Sequence, residues 1–259
     1  FDEKNLCIDF EAVLKMVHKA EEYSSIMFHT CAYNPTGTDF SKDQWKEIVK
    51  ILTTKKNVLT YMDTAYHGFA TGDLVVDAWP LYLFSDNNLD FCVNQSFSKN
   101  MGLYGERAGA LRIVIKDFNS VEKNASVCEK IKYGLSQAAL SLYLIPVGYG
   151  SEIIKRVLTN YKEAWKKELK EVVTRVIDMR VLLHKELIAN QCPGKWDHIM
   201  TQIGMFAYTG MTPDQCDYLI NEKDTYLVRS GRISLCGVTH KNVTTVANYM
   251  KEAITKCPK

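Results

Sequence analysis

The sequence predicts an α/β fold, with a mostly parallel sheet in a larger N-terminal unit followed by a smaller α+β unit, and three observations carry that prediction. Three short apolar runs before residue 94 read as strands, each reached through a helix or a long polar loop, as in a parallel sheet with right-handed crossovers. A helical pattern free of proline and glycine then runs from Glu152 to Ala189. Past Pro193-Gly194 the pattern changes to isolated strands and a closing helix.

The elements follow in order. Apolar residues at 10, 13, 14 and 17 have helical spacing, and the polar run Glu21-Glu22-Tyr23-Ser24-Ser25 ends that helix. Ile26 to Ala32 reads as a strand that stops at the turn-forming Tyr33-Asn34-Pro35-Thr36-Gly37. Ser41 precedes a helix from Gln44 to Thr53, with Trp45, Ile48, Val49 and Leu52 on one face. Val58 to Met62 is the second strand, ending at Asp63, and Thr64 to Asp73 reads as a loop too polar and glycine-rich to be core. Leu89 to Val93 is the third strand, Asn94 to Gly109 a loop, and Gly109 to Lys116 a further strand.

The pattern from Glu152 to Ala189 reads as one helix, which unbroken would span roughly 57 Å. That exceeds a single small domain, so it is expected to join two: residues 1–160 form the rest of the larger unit, and 161–259 the smaller one. Strands are expected around Gly204–Thr209 and Arg232–Leu235, and a last helix from Val243 to Lys256.

A length of 259 residues with 46% apolar and 24% charged residues is a globular composition. The net charge of +2 is too small for a dedicated nucleic-acid surface. No apolar run is long enough to cross a membrane. The eight cysteines are scattered without metal-ligand spacing, as expected of reduced thiols in a cytoplasmic compartment.

The ends of the three strands share one edge of a parallel sheet, which is where such sheets place ligands. Asn34 follows the first, Asp63 and Tyr66 the second, and Ser96, Ser98 and Lys99 the third. A desolvated lysine there keeps a neutral amine for bonding to a carbonyl. A carboxylate, a phenol, an amide and an amine in one crevice match the needs of pyridoxal phosphate (PLP). The aldehyde needs the lysine, the pyridinium nitrogen an acid and the ring oxygen hydrogen-bond donors, while Arg107 can clamp the phosphate.

Four segments carry a resemblance: Asn34-Pro35-Thr36-Gly37, Asp63-x-Ala65-Tyr66-x-Gly68-Phe69, Ser96-Phe97-Ser98-Lys99-Asn100 and Gly102-Leu103-Tyr104-x-Glu106-Arg107. With Gln202-Ile203-Gly204-Met205-Phe206 and Ser230-Gly231-Arg232-Ile233-Ser234, they resemble the aspartate aminotransferase family of PLP enzymes of fold type I, over essentially the whole chain. The resemblance implies transamination between aspartate or glutamate and 2-oxo acids by a ping-pong route, in a homodimer whose active sites share residues. It implies that Lys99 carries the cofactor and moves the α-proton, and that Asp63 pairs with the pyridinium. Asn34 and Tyr66 would bond the ring oxygen, and Ser96, Ser98 and Arg107 the phosphate. Arg232 would bind the substrate α-carboxylate, and His29 would lie behind Asp63 and orient its carboxylate. The family's cis Asn-Pro bond is expected at Asn34-Pro35.

There are departures from the family pattern. Tyr33 stands where the family usually has histidine, and Leu140 where its arginine reads the distal carboxylate of the substrate. Burying that carboxylate without a cation would cost several kcal/mol. Lys132 and Arg229 are candidate replacements that also read as surface cations, and without one an aromatic or neutral substrate becomes the alternative. Family members also carry a long segment ahead of the position of Phe1, with a phosphate loop and a ring-stacking aromatic. Its absence makes this chain a part of a longer polypeptide or a truncated form, and a non-catalytic remnant is the third reading.

Overall fold

The computed structural model describes residues 1–115, 121–146 and 148–258. The first unit is built from α1 (Phe10–Lys19), β1 (Ser25–His29), α2 (Lys42–Leu52), β2 (Leu59–Thr64), α3 (Leu74–Asp77), α4 (Trp79–Asp86), β3 (Phe91–Ser96) and β4 (Gly109–Val114). The strands form one sheet in the order β1-β2-β3-β4. The first two pairings are parallel, while β4 runs antiparallel to β3. The expected further strand therefore exists as an antiparallel neighbour ending at Val114, and Lys116 lies outside the described residues.

Local chemistry starts these elements as the sequence implies. Ser41 caps α2 in a reciprocal capping box with Gln44, satisfying two otherwise orphaned N–H groups. Trp45, Ile48, Val49 and Leu52 form the buried face of α2, which packs with Phe28, Met62, Phe84 and Phe91 into one apolar cluster. Each such side chain contributes about 1.5–3 kcal/mol when fully buried.

Three boundaries differ from the sequence expectation in ways that bear on the site. β1 stops at His29 rather than Ala32. β2 and β3 instead run on through Asp63-Thr64 and Asn94-Gln95-Ser96, because their backbones remain paired there, Asp63 with Asn94 and Ser96 with Gly109. The stretch from Thr64 to Asp73 is not excluded from the core. Tyr66, Phe69 and Ala70 are buried beside Leu169 and Val173 from a later helix, whose apolar side chains supply a cover that the local sequence does not reveal.

The second half contains α5 (Val121–Tyr143), α6 (Gly148–Asn160), α7 (Lys162–Ala189), α8 (His198–Thr201), β5 (Phe206–Tyr208), α9 (Pro213–Lys223), β6 (Arg232–Ser234) and α10 (Val243–Lys256). The single long helix expected from Glu152 to Ala189 is two helices meeting at Tyr161, whose φ of -130° leaves the helical range. No proline or glycine causes the break. It falls just before the point where Trp165 of α7 is tied by its indole N–H to the Asn100 carbonyl at 2.7 Å, so tertiary contact directs the second helix. From Val176 onward α7 joins the other main cluster, with Ile199, Leu219, Leu235 and Met250. No helix among the described residues is long and apolar enough to cross a membrane.

Candidate active site

Parallel register sets the first part of the site. His29 of β1, Asp63 of β2 and Asn94 of β3 lie in one row across the sheet. The Asp63 carboxylate accepts from the Ala65 N–H at 2.9 Å, and its other oxygen lies 3.9 Å from His29 Nε2, beyond hydrogen-bond length. Burial is the larger influence on His29 and lowers its pKa against the pull of Asp63, so a neutral imidazole faces the carboxylate at neutral pH. His29 Nδ1 is buried without a hydrogen-bond partner, and the ring meets Tyr33 edge-on at 4.7 Å.

The turn after β3 carries Lys99 half-buried between Ser98 and Asn100, which are 3% and 5% exposed. Two contacts hold that turn: Trp165 donates to the Asn100 carbonyl, and the Asn100 amide donates to the His67 carbonyl at 3.2 Å. Lys99 Nζ consequently sits 5.1 Å above the ring of Tyr66, one residue before His67. Burial raises the pKa of the Tyr66 phenol, and the opposing pull of Arg232 does not overcome it. The phenol is therefore a proton donor at neutral pH. Ser96 Oγ accepts from the Ser98 N–H at 3.2 Å, which leaves the Ser96 hydroxyl proton free to donate elsewhere. Arg107 is exposed and donates to the Tyr104 carbonyl at 3.3 Å, two residues before Gly109, the partner of Ser96.

The second part of the site arrives from the other end of the chain. β5 and β6, separated in sequence by α9, form a two-stranded antiparallel sheet in which Tyr208 pairs with Arg232. The Arg232 guanidinium lies over the Phe206 ring at 4.3 Å and donates to Asn34 Oδ1 at 2.6 Å. The Phe206 ring in turn meets Tyr66 edge-on at 5.9 Å. The Asn34-Pro35 bond is cis, as expected. Asn34, Tyr66, Lys99 and Arg232 are thus brought together, with Asp63 and His29 behind them on the sheet.

The donor set fits pyridoxal phosphate: an amine, a carboxylate near a strand end, a protonated phenol, and an amide whose oxygen accepts from Arg232 and whose NH2 group, with two protons to give, already donates toward the Tyr66 oxygen. The candidate distal cations do not join this group. Arg229 makes a two-point ion pair with Asp217 at 2.8 and 2.7 Å on the surface, and Lys132 and Leu140 are exposed on α5.

The sequence reading assigned no role to Phe206, Asn100 or Trp165. For Phe206 the signal was present in the Gly204-Met205-Phe206 motif. Trp165 reads from sequence only as one more apolar position of a helix.

Residues 1–250 match the family model described as aminotransferase class I and II. The chain is 40% identical over 251 residues to the cytoplasmic aspartate aminotransferase of Gallus gallus, covering 96% of this chain and 59% of that one. It is 39% identical over 260 residues to the cytoplasmic aspartate aminotransferase of Schizosaccharomyces pombe, covering 100% and 62%. The solved structure of cytoplasmic aspartate aminotransferase from Giardia lamblia aligns with a TM-score of 0.94 at 39% identity, covering 98% of this chain and 62% of that one. This chain therefore spans about three fifths of the length of these relatives.

Proposed function

The chain belongs to the aminotransferase class I and II family, and from that premise we propose that its protein is a PLP-dependent aspartate aminotransferase. It exchanges an amino group between aspartate or glutamate and a 2-oxo acid in ping-pong order. The observation that carries the reading is the Arg232–Asn34 bond, which closes a carboxylate-binding cation onto the crevice holding Tyr66 and Lys99. When bound, PLP supplies an aldehyde for the amino group and a protonated ring that draws electron density from the α-carbon.

The residues divide that work. Lys99 Nζ would hold the cofactor through its aldehyde carbon, water leaving as that bond forms, and once a substrate amine displaces it the freed Nζ would take and return the proton at the substrate α-carbon. Asp63 holds a proton on the ring nitrogen, with His29 behind it. Tyr66 and the Asn34 amide donate to the ring oxygen, and Ser96, Ser98 and Arg107 hold the phosphate. Arg232 pairs with the substrate α-carboxylate, where a planar guanidinium can make two parallel bonds. Residues 1–160 complete the cofactor-binding side and 161–259 the carboxylate-binding side, in a homodimer with shared sites and a cytoplasmic location.

The aspartate name of relatives matched over nearly the whole chain supports the dicarboxylate reading over the aromatic or neutral one that Leu140 suggests. Borohydride reduction of the PLP-loaded protein should fix one pyridoxyl group on Lys99, detected by mass. Lys99→Ala should take up none and lose activity on the order of 10⁴-fold. Failure to trap cofactor on wild-type protein would overturn the reading and favour the non-catalytic remnant.

A further inference from the structure

Arg180 of α7 is 4% exposed and makes no ion pair among the described residues. Its guanidinium donates only to backbone carbonyls: to Ile199 at 3.1 Å, and to Gly204 and Phe206 at 2.8 Å each. Burying a cation without a carboxylate is costly, and burial pulls its pKa down to about 10. Packing alone does not call for it, since its helical neighbours Val176, Met179 and Leu183 fill the same core with apolar groups. The charge is needed for what it grips.

That grip falls on the segment between α8 and β5, which is held on its other side by the loop carrying Asn34. The Ile203 N–H donates to the Gly37 carbonyl at 2.7 Å, and Gly204 lies against Ala32. Phe206, whose carbonyl Arg180 holds, is the platform on which the Arg232 guanidinium rests opposite Asn34. A displaced Phe206 would move Arg232 relative to Asn34 and Tyr66.

We propose that Arg180 is a positioning residue for substrate recognition: it sets the Phe206 platform, and through it the Arg232 guanidinium that receives the substrate carboxylate. The proposal rests on the aminotransferase reading. It assigns Arg180 an effect on carboxylate binding rather than on cofactor attachment, because Lys99 and its turn are held by Asn100 and Trp165 instead.

The test uses the natural full-length protein loaded with PLP, in wild-type, Arg180→Met and Arg180→Lys forms. Calorimetric titration with 2-oxoglutarate, with no amino donor present, should show a Kd raised roughly tenfold in Arg180→Met, with a smaller rise in Arg180→Lys. KM should rise in step while kcat stays within about threefold, and borohydride should still trap cofactor on Lys99 in both variants. Where Arg180→Met does not fold, Arg180→Lys carries the comparison on its own. An unchanged Kd and KM in a folded, cofactor-trapping variant, with activity falling only as the folded fraction falls, would leave Arg180 a purely structural residue and overturn the proposal. Wild-type protein that traps no cofactor would instead overturn the aminotransferase reading beneath it.

Discussion

The two sides of the candidate site are held in place by different means. On the sheet side, His29, Asp63 and Ser96 sit within strands, and the height of each is set by backbone register, with five paired residues between β2 and β3. On the side of the smaller sheet only three residue pairs join β5 to β6. Buried side chains supply the missing restraint there. Arg180 holds three carbonyls, and the Gln202 amide bonds both the N–H and the C=O of Tyr208, standing in for an absent strand. A short ladder fixes little, so positional accuracy passes to polar groups that are costly to bury and fail when unpaired.

The largest effect expected from this contrast lies in the loop between the two sides. Asp39 accepts from the Ala32 and Tyr33 N–H groups at 2.7 and 2.9 Å, ahead of Asn34. Burial pushes its carboxyl up from 3.8 to about 6, outweighing those two donors. A carboxyl that holds its proton more tightly folded than unfolded stabilises the fold in acid. That contribution is complete below about pH 4 and is lost as the pH rises through about 6. The difference corresponds to about 3 kcal/mol. Denaturant titrations should therefore find the stability of wild type, relative to Asp39→Asn, falling by about that amount between pH 4 and pH 7. A difference that stays flat would mean that the loop opens to water.

Next in size is the junction itself. Gly204 has φ +84°, and a Cβ there would lie 2.6 Å from Ala32 Cβ. Gly204→Ala should cost about 2 kcal/mol, from the left-handed backbone and the clash together, and lower Tm by about 5 °C. An unshifted melt would show the β5-β6 sheet able to move away from the Asn34 loop, and would remove the rigidity on which the contrast depends.

The smallest effect is expected at Arg229. Its pair with Asp217 is exposed, so Arg229→Ala should change stability by less than about 1 kcal/mol and leave KM for aspartate within about twofold. A large rise in KM would bring Arg229 back as the cation for the distal carboxylate and move the substrate-reading side of the β5-β6 sheet.

The sequence alone placed the candidate site residues at the strand ends. Asp63 lies one residue from the end of β2, while Asn34, Tyr66 and Lys99 lie in the turns that follow β1, β2 and β3, and a parallel sheet brings such ends to one edge whatever its remaining details. It also determined α2, through its capping box and periodicity, and α10, through its periodicity, both local properties. Only the tertiary structure decided that the stretch after Thr64 is core, that the long helical pattern breaks at Tyr161, and that β4 runs antiparallel. In each case the deciding partner is distant in sequence: Leu169 over Phe69, Asn100 against Trp165, Ser96 against Gly109. The same reason hid Arg180. An arginine among apolar helical positions reads as a surface residue until the carbonyls of Ile199, Gly204 and Phe206 are brought around it, and that arrangement is a property of the fold rather than of any local stretch.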